Sequence, residues 1–246
     1  MMAQNALLEA NEMRKSFGGF VALDDVDIAV RAAERVGLIG PNGSGKSTLV
    51  NCLSGALNSD TGSIRFDGHS IERLPAYRRT RLGIVRTFQI PLPFTSMTVL
   101  DNLTIPLRFA GRHRIGAPTA GNDIEQALSI LEDVGLRDKA YVVSAGLTQV
   151  EMRKLELARA VAARPKLLIA DETMAGLSNA EVDEIIALLF KLNEEGIAII
   201  MIEHIMRAVV ALSQRAIVLV AGKKIADDAP DIVMNDAEVV RAYLGE

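Results

Sequence analysis

The chain of 246 residues has a single cysteine and no marked excess of charge of either sign. It also lacks any run of the ~18 apolar residues that a membrane-spanning helix needs. One cysteine, Cys52, excludes an intrachain disulfide and suits a reducing compartment. It falls on a predicted helix and reads as a small core residue, not a nucleophile. The stretch "MMAQNALLEANEMRK" breaks its apolar residues with Asn and Glu, so no secretory h-region is read there, and the expectation is a soluble, cytoplasmic chain. Lys plus Arg is 27 and Asp plus Glu is 31, a net charge of −4 that argues against a general nucleic-acid binder. The one basic cluster, "YRRTRLGIVR" from Tyr77 to Arg86, reads as a solvated helix face. Repeats and low-complexity tracts are absent too. What is present is an apolar fraction of 49% against 24% charged, enough for one large domain or a domain carrying an inserted subdomain. The mean hydropathy of +0.22 leaves room for an apolar contact with a partner.

Short apolar runs alternate with amphipathic segments. "RVGLI" (35–39), "KLLIA" (166–170), "AIIMI" (198–202) and "AIVLV" (216–220) read as strands buried on both faces, the pattern of a parallel sheet. After Ser178, apolar residues at Val182, Ile185, Ile186 and Leu189 predict a helix with a Ser178–Glu181 capping box and a stop at Gly196. Strands alternating with such helices indicate an α/β fold. "LLEANEMRKSF" and "VDIAVR" alternate more polar residues and suit an antiparallel β flank. From about 90 to 147 the strand signal disappears. "TVLDNLTIPLRFAG" and "DIEQALSILEDVGL" read as helices of an inserted subdomain, joined by the surface loop "GRHRIGAPTAGN".

"GPNGSGKST" fits G-x-x-x-x-G-K-[ST] and follows a strand and precedes a helix, as a phosphate loop must. Gly40, Pro41, Asn42, Gly43, Ser44 and Gly45 form a loop whose backbone N–H groups, Pro41 having none, would face a polyphosphate, with the helix N-terminus at Lys46, Ser47 and Thr48 adding its dipole. Lys46 would reach the β- and γ-phosphates of ATP, and the Ser47 hydroxyl would ligate Mg²⁺. "LLIADE" (167–172) is an apolar strand ending in two carboxylates: Asp171 to hold Mg²⁺ through water, Glu172 to act as general base. "LTQVEMRKLELARA" starts a helix in which Thr148 is the N-cap and Glu151 completes a capping box.

Over its whole length the chain resembles the ATPase subunits of ATP-binding-cassette transporters. That resemblance implies a P-loop (RecA-like) core with a mostly parallel sheet, at 1–89 and 148–246, an antiparallel β flank, and a helical subdomain at 90–147. It further assigns Gln89 in "RTFQ" to sensing Mg²⁺ and water, His204 in "MIEHIM" to the γ-phosphate, and Phe17 in "KSFGGFVAL" to stacking on adenine. Ser178 falls in the loop that crosses the dimer. Thr148 starts the signature segment, which in this family is usually Leu-Ser-Gly-Gly-Gln. Here Leu147 matches and Thr148 keeps the hydroxyl, while Gln149, Val150 and Glu151 depart and both glycines are missing.

"GGFVALDDVDIAV", "IVRTFQ", "MTVLDNL" and "VVRAYLGE" look most like the branched-chain amino acid importer branch; "RAYLGE" is shared with the lipopolysaccharide-export ATPase. The implied function is an ATPase that energises import of branched-chain or related amino acids. Its implied partners are transmembrane permease subunits, a second ATPase subunit in a heterodimer and, indirectly, a substrate-binding protein, but no nucleic acid. The chain would sit peripherally on the inner face of the cell membrane, with "QIPLPFTSM" near the membrane partner. Alternatives are a lipid or lipopolysaccharide exporter ATPase and a hydrolysis-impaired regulatory subunit. A soluble ATPase of DNA or ribosome would bring a second cassette or basic extensions, which the sequence lacks.

Overall fold

The four continuous apolar runs form the middle of one sheet. In the computed structural model, which describes residues 6–88, 92–109 and 123–244, these are β3 (Arg35–Ile39), β7 (Leu167–Asp171), β8 (Ala198–Ile202) and β9 (Arg215–Val220). With β6 (Ile84–Arg86) and β10 (Lys223–Asp228) they make a six-stranded sheet in the order β10-β9-β3-β8-β7-β6. It is parallel except for β10, which pairs antiparallel with β9. Because strand side chains alternate faces, a sheet buried on both sides needs apolar residues at every position. Thus Ala198, Ile200 and Ile202 join one apolar cluster, and Ile199 and Met201 join the other.

The first cluster is closed by α1 (Lys46–Ser54) and by a four-stranded antiparallel sheet. That sheet has the order β2-β1-β4-β5 and is built from β1 (Leu8–Phe17), β2 (Phe20–Val30), β4 (Thr61–Phe66) and β5 (His69–Ser70). Cys52 is fully buried here, and burial pushes its thiol up to about 11, so it is the inert core residue expected. The second cluster is covered by α6 (Asn179–Glu194) and α7 (Met206–Leu212) and runs on into three mutually packed helices: α3 (Val99–Phe109), α4 (Asp123–Asp133) and α5 (Gln149–Ala162). Among the described residues between β6 and β7, the only strand-like pairing is an isolated bridge from Thr98 to Val143. Two expected capping boxes are present, Thr148 with Glu151 on α5 and Ser178 with Glu181 on α6.

The basic cluster departs from its reading as a solvated face. Within the helix Ala76–Leu82, Arg78 and Arg81 are exposed, but Arg79 is fully buried. Its guanidinium donates to Cys52 O at 2.6 Å, Leu53 O at 2.9 Å, Leu74 O at 2.8 Å and Glu72 O at 3.0 Å. Two of these carbonyls lie in the last turn of α1, where backbone acceptors lack helical partners and a cation is favoured. Arg79 thereby ties the phosphate-loop helix to the segment behind it.

Candidate functional site

The phosphate loop leaves β3 and enters α1 through two glycines that no other residue could replace without movement. At Gly40, with φ +146°, a β-carbon would lie 2.1 Å from Leu219 O; at Gly45, with φ +106°, it would lie 2.5 Å from Ala22 O. The loop is therefore pressed between the β9–β10 turn and β2, and Gly222 N donates to Ser44 O at 3.0 Å. Gly45 also serves as N-cap without a side chain, so no side chain competes for the first-turn N–H groups of α1. Lys46 is buried beneath the loop, its ammonium donating to Gly40 O at 2.8 Å and Pro41 O at 3.0 Å. Burial lowers its pKa, opposed by the charges of Glu172 and Asp171. Asn42, Gly43, Ser44, Gly45, Lys46, Ser47 and Thr48 line a cleft of ≈ 200 Å³ together with Phe20, Ala22, Glu172 and His204.

The ends of β7 and β8 supply the opposite wall. Glu172 has φ 48°, a left-handed conformation that costs a residue with a β-carbon about 1–3 kcal/mol unless its surroundings hold it. Its N–H donates to Ile202 O at 2.9 Å, and its Oε1 lies 3.0 Å from His204 Nε2. Asp171 is buried behind the cleft, where Arg86 donates to its Oδ2 at 2.6 Å and to Asn51 Oδ1 at 2.5 Å. Thr87 Oγ1 accepts the Asp171 N–H at 3.1 Å. Among the described residues no three His, Cys, Asp or Glu side chains gather as a metal cluster. A Ser47 hydroxyl and an Asp171 carboxylate are nonetheless the hard oxygen donors that suit Mg²⁺ when phosphates and water complete its shell.

This arrangement, a lysine-bearing phosphate loop facing a carboxylate and a histidine across one small cleft, agrees with what comparison finds. The ABC transporter family matches residues 23–175, more than half of the chain. The chain belongs to the ABC transporter family. A family described as branched-chain amino acid ATP-binding cassette transporter matches residues 223–246. The high-affinity branched-chain amino acid transport ATP-binding protein BraF of Pseudomonas aeruginosa is 36% identical over 98% of both chains. LivG of Escherichia coli K12, with the same description, is 35% identical over 98% of both. Among solved structures, the ADP conformation of an ATP-binding cassette of an ABC transporter has TM-score 0.89 at 33% identity, covering 98% of this chain and 100% of that one. The nucleotide-free form of an ATP-binding cassette gives TM-score 0.87, also at 33% identity, over 98% and 100%. The cassette is accordingly an ATP-hydrolysing enzyme, and no helix among its described residues is long and apolar enough to cross a membrane.

The cassette places its other expected site residues less uniformly. Gln89 lies outside the described residues. Phe17 pairs with Phe20 across the β1–β2 hairpin, but only Phe20 lines the cleft, while Phe17 sits with Lys15 Nζ 5.5 Å from its ring centroid. Phe20 was missed because "SFGGFV" holds two aromatics and only the hairpin register tells which one faces the loop. Thr148 is away from this chain's own cleft, at the exposed start of α5. The altered signature residues each have an occupation. Val150 packs against the second apolar cluster, and Gln149 Nε2 donates to Ala175 O at 3.3 Å. Glu151 bonds Thr148 N at 2.9 Å and Lys139 Nζ at 2.5 Å, and Lys139 first, then the Thr148 N–H, holds its carboxyl below the usual range.

A second, larger cavity of ≈ 410 Å³ opens beside α3 and α5, lined by Tyr77, Arg86, Phe88, Phe94, Phe109 and Arg159 among others. Its floor is tied to α5 through Phe88 N, which donates to buried Glu156 Oε1 at 2.6 Å. Burial raises the Glu156 pKa.

Proposed function

We propose that the cassette powers import of branched-chain or related amino acids through a membrane permease. Full-length similarity to BraF and LivG supports that substrate class. The observation that carries the mechanism is the convergence of Lys46, Ser47, Glu172 and His204 on one cleft. Lys46 and the loop N–H groups bind the phosphates of ATP. Glu172 takes the proton of the attacking water, and His204, 3.0 Å from it, holds the carboxylate toward the γ-phosphate. Mg²⁺, held by Ser47, Gln89 and Asp171, would neutralise charge on the phosphates. An aromatic of the β1–β2 hairpin, Phe17 by sequence register and Phe20 by its place on the cleft, stacks on the adenine.

In the same proposal residues 90–147 form an inserted helical subdomain, and the remainder, 1–89 and 148–246, the nucleotide-binding core. Two such subunits close head to tail, with Thr148 and the start of α5 facing the other subunit's phosphate loop. ATP closes the pair and hydrolysis reopens it, moving the permease between two states. The ≈ 410 Å³ groove receives a permease segment, which keeps the cassette at the inner face of the membrane. The second ATPase subunit is a different chain with an intact signature. Val150 stands where the signature's glycine would let backbone approach a phosphate closely, so this chain's own signature serves the weaker of two composite sites.

Replacing Glu172 by Gln leaves nucleotide binding intact and stops turnover, because an amide cannot take the water's proton. Wild-type hydrolysis by Glu172→Gln would remove the base assignment. Loss of this chain should abolish uptake of radiolabelled leucine, isoleucine or valine; undiminished uptake of all three would overturn the substrate class. Disabling Glu172 should halt transport, whereas disabling the matching glutamate of the second subunit should leave a substantial part. Equal losses would refute unequal sites.

A further inference from the structure

Among the described residues, Glu203 is the buried carboxylate beside the Glu172–His204 wall to which no role has yet been given. It is 2% exposed, lies at the end of β8 immediately before His204, and is aimed at the β7 loop instead of the cleft. Its Oε1 accepts the N–H of Met174, two residues past Glu172, at 2.9 Å. The groups that face it are Glu172 on the β7 loop and the His204 ring and N–H on its own strand end. Burial, with the Glu172 charge behind it, pushes its carboxyl up to about 7, while the N–H groups of Met174 and His204 pull the other way. An acid in this position is unfavourable for folding, and a hydrocarbon would be the default there.

The contacts around it form three rungs between the ends of β7 and β8: Glu172 N to Ile202 O at 2.9 Å, Met174 N to Glu203 Oε1 at 2.9 Å, and His204 Nε2 with Glu172 Oε1 at 3.0 Å. Between the first two rungs the backbone turns through Glu172 at φ 48°. A left-handed residue with a β-carbon persists only where neighbours fix the chain on both sides of it. On the N-terminal side the fixing bond belongs to the sheet. On the C-terminal side a local turn bond from Ala175 N to Glu172 O, at 3.3 Å, is joined by the shorter bond to Glu203, which alone of the two ties the turn to β8.

We propose that Glu203 is a positioning residue for hydrolysis, holding the turn after Glu172 through the Met174 N–H so that the Glu172 carboxylate points into the cleft toward His204. This rests on the assignment of Glu172 as the base. Both the ionised and the neutral carboxyl keep an oxygen that accepts the Met174 N–H, so the tether does not depend on its charge. It depends on reach.

The test is steady-state ATP hydrolysis by the assembled transporter, with the second subunit's matching glutamate disabled so that only the Glu172 site turns over, and with ATP affinity measured in parallel, for Glu203→Gln, Glu203→Asp, Glu203→Leu and Glu172→Gln. Glu203→Gln keeps an acceptor oxygen at the same reach and should hold kcat within about threefold of wild type. Glu203→Asp keeps the charge but draws the acceptor back by a methylene, and Glu203→Leu removes it. Both should lose kcat by about 100-fold, the scale of a ~1 Å misplacement of a reacting group, with ATP affinity and KM little changed. A merely structural carboxylate would give the opposite order, with Asp the better substitute. Should Glu203→Leu fail to fold, the Gln-against-Asp comparison decides alone. Wild-type kcat in Glu203→Asp, or equal losses in Gln and Asp, overturns the proposal while an inactive Glu172→Gln leaves the base assignment standing. If Glu172→Gln itself turns over normally, the base assignment falls and this proposal with it.

Discussion

Arg86 and Asp171 allow the strongest stability prediction. The two side chains are 13% and 11% exposed and meet at 2.6 Å, with Asn51 steadying the other arm of the guanidinium at 2.5 Å. Replacing Arg86 by Met keeps much of the volume but leaves Asp171 buried beside no countercharge of comparable contact. Breaking a buried pair from one side costs about 3–5 kcal/mol, because the surviving charge stays desolvated. At ~2–4 °C per kcal/mol for a chain of this size, Tm should fall by about 6–20 °C in the nucleotide-free protein. Asp171→Asn removes the charge that needs compensation, so Arg86→Met should cost much less in that background; the double-mutant cycle isolates the pair. If Asp171 holds Mg²⁺ as proposed, Mg-ATP would bring a cation to it and should raise the Tm of Arg86→Met more than that of the wild type. Scanning calorimetry of the four proteins, with and without Mg-ATP, gives every term. An Arg86→Met protein as stable as wild type without nucleotide would refute the argument.

Lys46→Ala should weaken Mg-ATP binding by about ten- to hundredfold, the loss of a charge-assisted contact worth ~1.5–3 kcal/mol, measured with a fluorescent nucleotide; unchanged affinity would mean the main site lies elsewhere. Gly45→Ala, whose β-carbon would meet Ala22 O at 2.5 Å, should abolish nucleotide binding, whereas Gly43→Ala, with nothing within 4 Å, should bear only the backbone strain of its positive φ. Comparable binding by the two variants would show that the loop's fit against β2 does not matter. Glu203 has a folded-state pKa of about 7 against an ordinary 4.5, so its stabilising share is complete below pH ~4.5 and is lost as pH rises through ~7. Glu203→Gln should therefore be more stable than wild type at pH 8, by up to about 3 kcal/mol, and show little gain at pH 5. A gain independent of pH would rule that linkage out.

The phosphate loop and the four central strands were legible because their causes are local. Glycines at fixed spacing, followed by Lys46, define a backbone trajectory without reference to the rest of the chain, and strands buried on both faces must be apolar throughout. The Thr148 and Ser178 caps were legible for the same reason, each needing only a residue three positions on. What escaped were the features decided by a partner far along the chain that no motif marks. Arg79 and Arg86 stand three and ten positions into one basic run, and composition treats them alike with Arg78 and Arg81. Their burial depends on the carbonyls of Cys52 and Leu53 and on the carboxylate of Asp171, 26 to 85 residues away. Phe17 and Phe20 differ only in the face that the hairpin register gives each. Glu203 precedes the histidine that was recognised, yet its bond to Met174 spans 29 residues. A charge run reads as solvated by default, since most exposed helices carry such runs. The exceptions lie where a helix end or a buried carboxylate offers an acceptor that water cannot reach. In this chain one such place is Asp171, next to the Glu172 that lines the cleft, and the other is the last turn of α1, at the far end of the helix that carries the phosphate loop. The polar residues hardest to read from sequence are therefore ones that brace the legible motifs from behind.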